Sequence, residues 1–263
     1  MKFASKILVA AVALAAAGMA NAASLTLNAG GSVTDQGWTV SNLTGSGTLT
    51  FSTTLIGALN AGGVQVAQVD PAVVTSTKRT NGKYSTISAA APVTSLSGSF
   101  DGTTVSVLGV STAGGALQTA EADDFTTTGG SLAITNLRVD LTAKKVYATL
   151  VGANGVGTVN DLYLWDITTI SGATTFTATE GTITSVNELT GLKINANAFS
   201  LFSQALGLTQ AGNDALATVT DFGKISSSIS VTAAVAAVPE PSTYALMGVG
   251  LVGIAAAARR RAK

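Results

Sequence analysis

The sequence contains no cysteine and no histidine. Without cysteine no disulfide closes a loop, so a hydrophobic core has to hold the fold. Without histidine the commonest general base is missing, and with it the Ser-His-Asp triad and the usual zinc and copper ligands. Charge is sparse, at 11% of residues, and the overall balance of zero hides an asymmetry. Six of the 14 basic residues stand at the two ends: Lys2, Lys6, Arg259, Arg260, Arg261 and Lys263. Between Ala23 and Val238 there remain eight basic and 13 acidic residues, a net charge of −5. No basic stripe is left to neutralise phosphates, so nucleic acid is not an expected partner. Neither a cofactor nor a metal is expected, and the chain does not read as an enzyme.

What the sequence does have is hydroxyls. Serine and threonine make up about a quarter of the residues, and there are 29 glycines. That composition suits strands joined by short turns.

The two ends carry processing signals. Lys2 and Lys6 precede an apolar stretch from Ile7 to Ala17, and Ala20-Asn21-Ala22 is an A-x-A cleavage site. This is a secretory signal peptide over residues 1–22, with Ala23 as the expected mature N-terminus. At the other end stands Val238-Pro239-Glu240-Pro241, followed by an apolar stretch to Ala258 and then Arg259-Arg260-Arg261-Ala262-Lys263. As a helix, the apolar run from Tyr244 to Ala258 reaches roughly 22 Å, against ~30 Å of hydrocarbon core. Arg259, Arg260 and Arg261 snorkel to the headgroups and make up part of the shortfall. They also set the orientation, with the tail cytoplasmic and the body outside. The competing reading is a buried core helix, which seldom ends in such a charge block.

The order of these parts, Pro-Glu-Pro, apolar helix and basic tail, closely resembles the PEP-CTERM sorting signal of Gram-negative bacteria. The same element is also catalogued as an ice-binding protein C-terminal domain, a name that describes some carriers and not the signal's chemistry. The resemblance implies that Val238, Pro239, Glu240 and Pro241 are recognition residues for an exosortase, a membrane-embedded cysteine protease or transpeptidase. It also implies a single-pass stay in the inner membrane before arrival at the cell surface or extracellular matrix. The partners so implied are the exosortase, signal peptidase with the secretion machinery, the inner membrane and exopolysaccharide. The chain then divides into residues 1–22, a body over 23–235, and a sorting segment over 236–263 with its transmembrane helix at 243–258.

Within the body, apolar and polar residues alternate repeatedly, the mark of half-buried strands. Strands are expected at Leu25–Leu27, Thr48–Phe51, Val64–Val69, Thr103–Val110, Leu132–Leu141, Lys145–Val151, Asp161–Ile167, Thr174–Thr179, Thr182–Val186, Leu189–Ile194 and Lys224–Val231. Asn81-Gly82 reads as a type I′ hairpin turn. Thr135 breaks the alternation of its strand and predicts a bulge. Short helices are expected at Thr54–Ala61, at about 198–206 with Asn197 as N-cap and Gly207 as stop, and at Asn213–Thr220 capped by Asn213 or Asp214. Many strands with few helices predict a mainly β fold, a single β-sandwich or β-roll domain.

Several residues invite a chemical reading. Glu121, Asp123 and Asp124 could bind calcium, but they lack the spacing of a calcium loop and read better as a solvated acidic loop. Asp161 and Asp166 flank Trp165 as paired carboxylates of a glycosidase type, but residues five apart on a regular strand face opposite ways. Trp165 and Trp38 read as core residues, with Trp38 the one that could stack on sugar. The threonines of 174–179 and 182–184 could order water at ice, or simply reflect β-propensity. Asn42-Leu43-Thr44 is a lone glycosylation sequon. The reading that results is an exported structural or interaction protein. A carbohydrate- or ice-binding adhesin is the first alternative and a secreted hydrolase the last.

Overall fold

A computed structural model describes residues 23–123 and 125–235, together with Met247. Among these the chain forms β1 Ala23–Asn28, β2 Ser32–Asp35, β3 Trp38–Phe51, α1 Thr53–Ala61, β4 Gln65–Val69, β5 Val73–Lys78, β6 Tyr84–Phe100, β7 Thr104–Thr112 and β8 Gly115–Ala120. It continues with β9 Gly130–Asp140, β10 Lys145–Gly152, β11 Gly157–Ser171, β12 Thr175–Thr177, β13 Gly181–Ile194, α2 Ala196–Ala205, α3 Gln210–Ala217 and β14 Gly223–Val235. The fold is mainly β, as the alternation predicts.

The strands join into one antiparallel sheet. Its path runs β7-β6-β3-β14-β13-β11-β10-β9, and β9 pairs back onto β7 through Gly109↔Asp140, Val110↔Val139 and Ser111↔Arg138. Eight antiparallel strands therefore close into a ring. Gly109 sits at the seam, where a Cβ would stand 2.8 Å from the Val139 carbonyl and 2.9 Å from the Ser97 hydroxyl. Only glycine lets the two strands meet there. The remaining strands extend the ring: β1 and β5 pair with β6, β2 with β3, β12 with β7, and β8 with β9 and β4.

All three helices gather at one end of the ring. There β3 runs into α1, β13 into α2, and α3 returns into β14. They contribute Leu55, Leu59, Phe202 and Leu216 to a main core built on Leu132, Val146, Leu150, Leu164 and Leu192. A smaller core of Leu27, Leu43, Val93 and Ile229 lies apart from it. Asp221 ties the helix end together, accepting from the backbone of Leu192 at 3.0 Å and of Gly223 at 2.9 Å.

The local details correct several expectations. The hairpin of β5 and β6 forms, but Gly82 alone has positive φ in its turn, at 77°. The turn is type I, closed by Gly82 N–H to the Arg79 carbonyl at 2.9 Å, with the left-handed residue after it. The bulge near Thr135 is present. Asn136 has φ 53°, and the β9–β10 register slips between Tyr147 and Thr149. The segments 182–186 and 189–194 are one strand, β13. The helix expected at about 198–206 begins earlier, because Asn195 and not Asn197 is the first polar residue past the strand's last apolar position. Asn195 accepts from the Asn197 amide at 2.9 Å. Its stop is as expected, with Gly207 at φ 61°. The next helix is capped by Thr209 and starts at Gln210, which leaves Asn213 and Asp214 inside it. The last strand runs on to Val235, since Ala233 is still paired on both sides, to Gly181 and Val40.

Candidate functional site

The sorting segment begins where β14 ends. Val235 pairs with Trp38 and donates its amide to Glu180 at 3.3 Å, so the chain is held in the sheet up to its exit. Ala23 pairs with Phe100 at the same end of the ring, opposite the helices. The sorting residues Val238, Pro239, Glu240 and Pro241, the basic residues Arg259, Arg260 and Arg261, and the cleavage-site residues Ala20 and Ala22 lie outside the described residues. The expected transmembrane helix at 243–258 falls outside them as well, apart from Met247. No helix among the described residues is long and apolar enough to cross a membrane.

On the body, the structure reverses the reading of Asp161 and Asp166. The register moves from Val146↔Trp165 to Tyr147↔Tyr163, so Leu164 is an extra residue in β11. That bulge buries both Leu164 and Trp165 and puts Asp161, Tyr163 and Asp166 together on the outer face. Strict alternation does not predict this; its signal in the sequence is two adjacent large apolar residues, Leu164 and Trp165, inside an alternating strand.

The outer-face residues form a connected cluster. Arg138 donates to Asp161 at 2.7–2.9 Å from both Nε and Nη2. Its guanidinium lies 4.1 Å from the centre of the Tyr147 ring, and Lys145 lies 4.2 Å from that of Tyr163. The two rings are 5.7 Å apart. Tyr163 donates a short hydrogen bond to Asp166. Burial, then this bond and the Asp166 charge, push the phenol up to about 12. Both carboxylates thus have partners of their own, in an arrangement typical of a structural ion-pair surface.

The acidic loop is also committed internally. Asp123 accepts from the Thr126 hydroxyl and from the amides of Phe125, Thr126 and Thr127 at 2.5–3.0 Å. Those bonds, led by Thr126 and Thr127, hold its carboxyl far below the usual range. Asp124 lies outside the described residues. Of the two tryptophans, Trp165 is a core residue, 3% exposed and packed against Phe222. Trp38 is half-buried on the inner face of the sheet.

The threonine array read along 174–184 does not exist as one surface. Thr175 and Thr177 pair with β7, while Thr182 and Thr184 pair with β14. A different array appears across strands. The outer faces of β13, β14 and β3 line up as Thr182–Thr232–Ser41, Thr184–Ser230–Thr44, Val186–Ser228–Ser46 and Glu188–Ser226–Thr48. On the far side Ser24, Ser99, Ser106 and Thr175 form a similar row across β1, β6, β7 and β12. These rows depend on long-range register, which a local sequence pattern does not reveal.

A family model of the PEP-CTERM protein-sorting motif matches residues 237–261. No curated protein and no solved structure matches the chain. The motif marks an exported protein directed to an exosortase, with a transient membrane anchor. By the signal at residues 237–261, this chain is a PEP-CTERM sorting-signal protein.

Proposed function

We infer that the body is a non-catalytic structural or interaction module, delivered by its sorting signal to the cell surface or the exopolysaccharide matrix. The observation that carries this reading is the set of in-register hydroxyl rows on the outer face of β13, β14 and β3. Strand geometry spaces such side chains ~4.8 Å apart across the sheet and ~6.8 Å apart along it. Many weak hydroxyl contacts at regular intervals suit a polysaccharide, which presents hydroxyls in the same manner. The pairing of Asp161 with Arg138 and of Asp166 with Tyr163 favours this over hydrolysis, which needs one free acid and one free base or nucleophile.

The test is binding of the exported protein to a glycan array and to the cells' own exopolysaccharide. Replacing Thr184 and Ser228 with Glu should abolish retention on the polysaccharide without changing the thermal midpoint. Equal retention by this variant would exclude the hydroxyl rows as the binding surface. The same regular spacing supports a second reading, an ice-binding adhesin. Inhibition of ice recrystallisation by the wild type, lost in the same variant, would favour it.

A further inference from the structure

The closed ring encloses a cavity of about 220 Å³ with mainly apolar walls. Toward the helices its lining is buried, with Leu55, Phe202 and Phe222 hidden from solvent. Toward the other end the packing fails. Leu25, Val105 and Phe176 from one layer, and Val33, Trp38 and Ile183 from the facing layer, line the cavity and stay half-exposed. Facing inner positions of a packed β core interdigitate and are hidden from water. Here they are not, so this end is the mouth of the cavity.

We propose that the cavity takes part of one acyl chain of a membrane phospholipid, with the ammonium of an ethanolamine headgroup held at Asp35 in the mouth. A cavity of ~150 Å³ already binds the six carbons of benzene, so this one has room for a segment of a chain and not for its full length. The chain's own apolar run is committed to the membrane anchoring that the sorting motif implies. The chemistry of the mouth fits as well. Asp35 lines it, and its Oδ2 is shielded from solvent with no hydrogen-bond partner. Asp101 follows Phe100 on the rim, and Glu180 holds the amide of Val235 there. An acidic rim repels an anionic headgroup and attracts an amine. Deeper in the wall, Asn187 is only 8% exposed and its Oδ1 is also unpaired.

The route of the chain names the lipid's source. Ala23 and Val235 are both at the mouth, paired with Phe100 and Trp38. Nine residues separate Val235 from Ala245, where the apolar run begins, and fully extended they span ~30 Å. While the sorting segment sits in the bilayer, the mouth is held next to the lipid surface. This step rests on the anchoring implied by the sorting motif.

The test reconstitutes the full chain in phosphatidylethanolamine vesicles that carry a photoactivatable group on one acyl chain. After irradiation the labelled residues are mapped by mass spectrometry. Label is expected on inward residues such as Val107 and Val231 in addition to the run 245–258. Gly47 lines the cavity, and a Cβ there would sit 3.6 Å from Thr112 Cγ2, an ordinary contact. Gly47→Leu should therefore fill the space, keep the thermal midpoint and lose label on the body alone. Replacing phosphatidylethanolamine with phosphatidylglycerol should lower body labelling of the wild type, and Asp35→Asn should erase that preference. Label confined to 245–258 in the wild type overturns the proposal while leaving the sorting assignment intact. Body label unchanged in a folded Gly47→Leu chain, or headgroup preference unchanged in Asp35→Asn, also overturns it. A wild-type chain with no label anywhere never entered the membrane, and both the anchoring and the proposal then fail.

Discussion

Arg138 grips Asp161 across two strands, through an aspartate that is itself in the left-handed region at φ 50°. Asp161 lies beside a second irregularity of β11, where the register with β10 shifts between Ala148 and Leu150. Both side chains are substantially exposed, 43% and 63%, so screening keeps the pair weak. Arg138→Ala should cost less than about 1 kcal/mol in urea unfolding. Asp161→Val should cost more, because a β-branched residue at that φ is strained. Equal losses in the two variants would mean that the backbone at 161 is not constrained.

Gly109 makes the ring possible. Gly109→Val must push β7 away from Val139 and should destabilise by about 1–3 kcal/mol. Hydrogen exchange should quicken first at the amides of β7 and β9 that face each other. Protection unchanged along that ladder would show that the seam tolerates a side chain.

Trp165 fills the main core beneath α2. Trp165→Ala removes a buried aromatic and should cost about 3–5 kcal/mol. Folded yield of the exported protein falls, while the fraction processed at the sorting signal stays as in the wild type. A processing defect at normal yield would contradict a purely structural role.

Three carboxyls have their ionised forms stabilised in the fold. Thr126 does this for Asp123, the Thr103 amide for Asp101, and Lys224 for Glu188. Each folded value lies below the unfolded one. The stability they contribute is therefore present above the ordinary carboxylate value of ~4 and is lost as pH falls through the lower folded values. The urea midpoint should drop on acidification below about pH 4. Asp123→Asn should flatten part of that fall, and an unaltered slope in this variant would exclude Asp123 as a source.

The tripeptide Pro239-Glu240-Pro241 fixes two φ angles and supplies only one amide hydrogen, that of Glu240. Changing all three residues to Ala should leave the protein in the inner membrane with its Arg tail intact, detected by fractionation and an antibody to residues 259–263. Release of a tail-less triple mutant would break the link between this motif and processing.

How much of this was legible in the sequence depends on the range of the interaction. The bulge beside Thr135, the 78–84 hairpin and the stop at Gly207 are local events, and local residues announced them. The helix starts are not legible locally, because Asn195, Asn197, Thr209 and Asn213 are all competent caps and only the chain around them decides. The pairing of Gly109 with Asp140 had no local signature, so neither the ring nor its cavity could be foreseen. Regular alternation places Asp161 and Asp166 on opposite faces, and the one extra residue, Leu164, brings them to the same face.

The exit of the chain at Val235 also sets how the body bears force. β14 is bonded along its length to β3 on one side and β13 on the other. Antiparallel hydrogen bonds run perpendicular to the strand. Tension transmitted through the anchor pulls β14 along its own axis and loads those bonds side by side. They must then shear together, whereas a terminal edge strand peels off one bond at a time. A body tethered this way takes a pull on its C-terminal anchor through a strand that is paired on both sides.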